Sequence, residues 1–324
     1  MKLIVKTLAL LVSKSQILVG GQAVIEGVMM RVPGAYATAV RNPENEIQID
    51  RHEFESIVER KPHLKKPILR GIVQLFEAMK IGFKTLQWSA EITYPEEKEK
   101  SGNKLTEIAS TIFAIGLAIG LFFVAPIGLT TWLFDKNNEP FYFNIISGGV
   151  RIAFFLIYLI LISLMKDVKR LFQYHGAEHQ TIYAFESGNN LEISEAKRHP
   201  TQHPRCGTSF IFILLIVAIL TFAVIDSFMM LFVKDIQVWM RLLIHLPMVP
   251  LVSGFGYEVL KLTAKYRKNI LFRMFAMPGI WLQYITTKQP DDEQLEVAIK
   301  ALQSAFGDKI KDHTGQKFVA EAIG

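Results

Sequence analysis

Between Glu107 and Asp135 lie 27 consecutive residues without a charged side chain. About 20 apolar residues span the hydrocarbon core of a bilayer, and soluble cores rarely need so long a run. Hydropathy and length mark three further stretches of this kind. The four expected spans are roughly 107–134, 143–165, 208–233 and 238–259. The chain therefore reads as a multi-pass α-helical membrane protein. Composition alone would not show this, because a hydrophobic content of 50% is ordinary for a globular chain.

The net charge of +6 does not indicate nucleic acid. The basic residues flank apolar runs instead of forming one stripe, a placement that suits anionic lipid headgroups. Lys98, Lys100 and Lys104 precede the first span; Lys166, Lys169, Arg170, Lys197, Arg198 and Arg205 follow the second; Lys261, Lys265, Arg267, Lys268 and Arg273 follow the fourth. The other two loops offer Lys136 and Lys234. Even if Arg151 and Arg241, near the ends of the second and fourth spans, snorkel to that second face, the bias puts both termini in the cytoplasm. Cys206 is the only cysteine, so no intrachain disulfide is possible and an oxidising compartment gains no support.

Before the spans, residues 19–66 read as a small β-rich cytoplasmic subdomain. Val19 to Arg31 forms one strand, Pro33-Gly34 a turn, Ala35 to Asn42 a second strand, and Glu46 to Phe54 a third after the turn at Pro43. Residues 1–18 read as a retained extension, since the apolar stretch Leu8–Val12 is too short to span and no small-residue cleavage site follows. Residues 67–104 hold an amphipathic helix and a charged linker. Leu69, Ile72, Phe76, Met79, Phe83 and Leu86 share one helical face, which either packs on its own domain or lies in the membrane interface. Residues 105–260 form the membrane domain, interrupted by a cytoplasmic segment at 166–207. The tail, 261–324, reads as soluble: Pro278-Gly279 interrupts it, and Pro290-Asp291-Asp292 opens a last helix with Leu295, Ala298, Ile299, Leu302 and Phe306 on one side.

The segment 166–207 carries the chemistry. In His175-Gly176-Ala177-Glu178-His179, two histidines stand one helical turn apart, about 40° from each other in projection, so both imidazoles can share one cation. Glu178 falls about 60° to the other side of His175. The order mirrors the His-Glu-x-x-His zinc helix and is known from inverted zinc peptidases, where the glutamate takes a proton from water. A catalytic zinc needs three protein ligands and an open position. For the third, His203 precedes the third span, and Glu258 ends the fourth at the same membrane face. Cys206 could supply a thiolate, though a lone cysteine beside an apolar span is more often inert packing. His199 ranks lower, His245 reads as a hydrogen-bonded helix-packing residue, and His52, His63 and His313 lie in polar surroundings that imply nothing. Glu26, in an apolar strand flanked by glycines, either points to solvent, pairs with Arg31 or enters the metal site.

Gly20–Arg31, His175–Tyr183, His203–Phe210, Gly256–Leu260 and Leu282–Ala301 resemble the YqhQ family of bacterial membrane proteins, a domain of unknown function often described as a metal-dependent enzyme. The resemblance covers nearly the whole chain after residue 18 and implies a metal and a plasma-membrane location. The resulting expectation is a membrane-embedded hydrolase of peptide or lipid-linked substrates. His175, His179 and either His203 or Glu258 would bind a divalent metal, most simply zinc, with Glu178 as general base. The bilayer is the expected partner, with a membrane protein or lipid as substrate and no nucleic acid. The competing expectation is a non-catalytic assembly or interaction factor with a structural metal. A small transporter is a third, weaker one, since Asp226 and His245 are the chief ionisable groups within the spans.

Overall fold

The computed structural model describes residues 19–95, 104–133, 140–188, 190–203, 206–233, 237–265 and 269–314. The N-terminal extension, most of the charged linker, Pro204-Arg205 and the last ten residues lie outside the described residues. The chain folds as a multi-pass α-helical membrane protein with a small N-terminal antiparallel sheet.

Four stretches, Ile108–Leu133, Ile145–Ser163, Phe210–Met229 and Val238–Thr263, are long and apolar enough to cross a membrane. The first comprises α2 (Lys104–Ile119), a π-helical turn (Gly120–Val124) and α3 (Ala125–Leu133). The others are α4 (Pro140–Ser163), α6 (Gly207–Met229) and α7 (Val238–Lys265). Their outer surfaces are apolar: Phe113, Trp132, Leu161, Val224 and Leu243 are all exposed. In water such a surface would be unsustainable, whereas hydrocarbon accepts it.

Four strands form the sheet, in the order β1 (Gly20–Val24), β2 (Gly27–Val32), β3 (Ala35–Arg41) and β4 (Ile47–Glu53). The stretch Val19 to Arg31, expected as one strand, is a hairpin. Val24 pairs with Gly27 across Ile25-Glu26, and Glu26 takes a left-handed φ of 50°. The sequence carries no Gly or Asn at the turn itself, so the break is not legible there. What holds it is the Glu26 carboxylate, which accepts from the Arg170 guanidinium (2.6 Å at Nη2) and the Tyr174 hydroxyl (3.2 Å). Glu26 therefore neither reaches solvent alone nor pairs with Arg31, whose guanidinium lies over the Phe54 ring.

Both faces of the sheet are covered, which is why β2 and β3 are almost continuously apolar. On one face Val28, Met30, Ala37 and Ala39 pack against Tyr174, Ala177 and Phe185 of α5 (Lys166–Ser187), together with Leu295, Ala298 and Leu302 from near the C-terminus. Those last residues belong to α9 (Asp292–Phe306), which Asp291 and Gln294 open with a reciprocal capping box. The 166–207 segment and the tail thus share one core with the sheet.

The amphipathic helix α1 (Leu69–Thr93) covers the other face at Ile81, and it is inverted relative to its simplest expectation. Its packed side is small or polar: Gly71, Glu77, Gly82, Thr85 and Ser89 are buried. Its apolar face is outward, with Leu69, Phe76, Met79, Phe83 and Leu86 exposed. Gly71 allows the close approach, since a Cβ there would stand 2.7 Å from the Tyr257 Cβ on α7. Beyond the fourth span, α8 (Ile270–Thr286) packs on α6 and continues through Pro278, which does not interrupt it. Proline costs a helix one hydrogen bond and an i−4 clash, and packing against a neighbouring helix can offset that.

Two arginines expected to snorkel are instead interior. Arg241 and Arg151 are buried, and Arg241 pairs with the fully buried Asp226 at 2.9 Å. The His245 Nε2 is also 2.9 Å from Asp226, with its ring stacked on Phe222, which makes His245 a hydrogen-bonded packing residue. The partner carboxylate lies on a different helix, α6, and sequence proximity does not reveal it.

Candidate metal centre

The site forms midway along α5, where α8 ends at Thr286 and α6 begins after Cys206. Helical spacing puts the rings of His175 and His179 one above the other, with centroids 4.5 Å apart. Each ring is oriented by a backbone carbonyl. The Nδ1 of His175 is 2.8 Å from the Thr286 oxygen, and the Nδ1 of His179 is 2.5 Å from the Thr201 oxygen. A carbonyl only accepts, so both Nδ1 atoms carry the proton and both Nε2 atoms present a lone pair. This is how a second shell fixes the tautomer of a metal-ligating histidine.

Those lone pairs meet at Cys206. The His175 Nε2 lies 3.1 Å from Sγ, and the ligand atoms of His175, His179 and Cys206 all lie within 4.8 Å of one another. The His179 Nε2 is buried without a hydrogen-bond partner among the described residues. An orphaned buried acceptor is costly, and a cation between these atoms would satisfy it. Cys206 caps the N-terminus of α6, where Sγ also accepts from the Thr208 amide at 3.4 Å. The donor set, two imidazole nitrogens and one thiol, fits zinc and similar borderline-soft ions. His175 is only partly buried, whereas His179 and Cys206 are buried.

Neither residue expected as third ligand belongs to this group. His203 stands beside it, its ring centroid 5.5 Å from that of His179 and 4.6 Å from that of Tyr183. Gln283 clamps its backbone from both sides, accepting from the amide at 2.7 Å and donating to the carbonyl at 2.9 Å. Glu258 is engaged elsewhere. Its carboxylate accepts from Arg70 (2.7 Å at Nε) and the Ile68 amide (3.2 Å), tying α7 to the start of α1. Of the residues near the pair, it is Cys206 whose ligand atom lies within 4.8 Å of both. Its signal was present, four residues before the third span and within 32 residues of His175, but nothing local distinguished it from packing.

Glu178 is buried against β1. A Cβ at Gly21 would lie 2.9 Å from its Cγ and Cδ, so only glycine lets this strand approach so closely. Burial pushes the Glu178 carboxyl up to about 7, opposed by the neighbouring His175 imidazole and the amide hydrogen bond from Gly21. His199 lies apart from the cluster, stacked on Tyr183.

Residues 66–308 match a family described as "Protein of unknown function (DUF1385)". The chain is also 33% identical over 301 residues to "Uncharacterized protein YqhQ" of Bacillus subtilis (strain 168), an alignment spanning 87% of this chain and 90% of that protein. No solved structure matches.

Proposed function

We propose, from the premise that this chain belongs to the DUF1385 family, that it is a membrane-embedded, metal-dependent hydrolase of the bacterial plasma membrane. In this reading His175, His179 and Cys206 hold a divalent ion, most simply zinc, at the cytoplasmic face, and Glu178 is the general base. One observation carries it: two imidazole lone pairs, each aimed by a backbone carbonyl, converge with a thiol within 4.8 Å. A zinc-type ion in such a place supplies Lewis-acid polarisation of a carbonyl or phosphoryl group.

The chain's own residues supply the rest. The Thr286 and Thr201 carbonyls hold the two rings against rotation, and the partly exposed edge of His175 is the side from which a substrate arrives. Glu178, held by the Gly21 amide next to His175, is placed to accept a proton from water and return it to a leaving group. The outward apolar face of α1 supports a substrate that is itself membrane-borne, a peptide segment near the bilayer or a lipid-linked group.

A second reading, an assembly factor with a structural ion, is favoured by one specific feature. The His203 ring lies 5.5 Å from that of His179, tilted to it, with Cys206 nearby, and a fourth ligand from that side would close the shell. Metal analysis of protein purified in mild detergent separates the two when combined with complementation of a deletion strain. The hydrolase reading expects about one ion per chain in the wild type, none in the double variant His175→Ala, His179→Ala, and full metal with lost function in Glu178→Gln. Full function in Glu178→Gln with metal retained leaves the structural reading standing.

A further inference from the structure

The histidine–cysteine cluster and the membrane interior meet on α6. Cys206 caps the N-terminus of this helix, and a few residues on, at Ile211, begins an apolar cavity of about 320 Å³ between the spans. From α6 the cavity is lined by Ile211, Leu214, Ala218 and Phe222, spaced three and four apart, so they form one stripe down the helix. One turn back, that stripe reaches Gly207, the neighbour of Cys206. A Cβ at Gly207 would meet nothing within 4 Å, and Ile211 is exposed. The helix face between Cys206 and the cavity is therefore uncovered at both positions.

From Ile211 to Phe222 the helical rise makes about 16 Å, roughly half of a ~30 Å hydrocarbon core and so the depth of one leaflet. Phe155 of α4, Phe122 of the π-helical turn and Val252 of α7 line the other sides. The lining is almost wholly apolar, so Arg151 lends it an aliphatic stem and not a guanidinium. An ordered water needs polar partners that such a space does not offer. Hydrocarbon needs none, and at this depth hydrocarbon is what surrounds the bundle.

We propose that this cavity holds the hydrocarbon chain of the metal centre's own substrate, which makes that substrate a lipid-linked group and not a peptide segment. The proposal rests on the hydrolase reading of His175, His179 and Cys206. The chain enters from the leaflet on the side of the sheet, with its head beside Cys206 and its end near Phe222. The mouth at Ile211 stands about 8 Å along α6 from Cys206, a gap that a headgroup spans. An extended peptide would leave its amides unpaired against an apolar wall, and a helix, about 10 Å across, is too wide for 320 Å³ spread over this length. A bulk phospholipid could fill the same space, but its binding would not depend on a head that grips metal.

Titration of the zinc-loaded full chain in mild detergent with acetohydroxamate and palmitohydroxamate tests this, since both carry one zinc-chelating head and only the second carries a long chain. Palmitohydroxamate is expected to bind about tenfold more tightly or better. Ala218→Leu, and Val249→Phe on α7, both fill the cavity. Each should cut palmitohydroxamate affinity about tenfold, the scale of one overpacked side chain, and leave acetohydroxamate within about twofold. Either variant decides alone if the other does not fold. Acetohydroxamate binding with no gain from the chain, or a gain that survives in a folded variant, overturns the cavity's role and leaves the metal reading intact. Equal binding of palmitohydroxamate and its O-methyl ester, which cannot chelate, makes the occupant bulk lipid and also overturns the proposal. No zinc uptake, or zinc that binds neither hydroxamate, ends the hydrolase reading and this proposal with it.

Discussion

Among single residues, Cys206 lies beside the histidine pair and Glu258 does not. Glu258 was attractive because topology returns it to the correct face, yet Arg70 and the Ile68 amide occupy its carboxylate. Cys206 looked like packing and instead completes the triangle with His175 and His179. Metal affinity distinguishes them. Removing a second-shell group alone costs about 10–100-fold, so losing a ligand should cost more. Cys206→Ser is expected to weaken zinc binding by more than ~100-fold in competition with a chromophoric chelator, while Glu258→Gln leaves it within about twofold. The reverse order would remove Cys206 from the site. The histidine pair was legible in the sequence because helical spacing is a local property. Cys206 was not, since its approach to His175 spans 31 residues and depends on how α5 crosses the start of α6. The same holds for Arg151 and Arg241, whose charge balance depends on Asp226 of another helix.

At the level of elements, periodicity correctly placed the spans, α1 and the last helix, because each buries or presents one face over several turns. It could not say which face of α1 turns inward. An apolar stripe usually seeks the core, but here Gly71 and Gly82 let the opposite side pack closely, leaving Phe76, Met79 and Phe83 outward. Lys80 and Lys84, both exposed, border that stripe and suit a helix lying among phosphate groups. A nitroxide at position 83, in a Cys206→Ser background in liposomes, should therefore be accessible to oxygen and shielded from a water-soluble nickel chelate. A label at the exposed Lys61 should show the opposite pattern. Equal chelate access at both positions would mean that a protein partner or water, not lipid, covers α1.

Across the whole molecule, orientation decides which compartment meets the histidine cluster. The sheet, α5 and α9 form one body at one end of the bundle, so all their charges count toward the same side. Lys166, Lys169, Arg170, Lys197 and Arg198 belong there, and Lys261 lies at the matching end of α7. Counting Arg151 and Arg241 for the opposite side weakens the bias, but both are buried, Arg241 against Asp226, and burial removes them from any contest for headgroups. What remains on that side is Lys136 and Lys234. Positive charge near span ends favours the cytoplasm, which predicts that a green fluorescent protein joined after Gly324 is fluorescent and alkaline phosphatase fused there is inactive. Phosphatase inserted after Lys136 should be active. The inverse result would put His175, His179 and Cys206 outside the cell, where an oxidising environment works against a free thiol as a metal ligand.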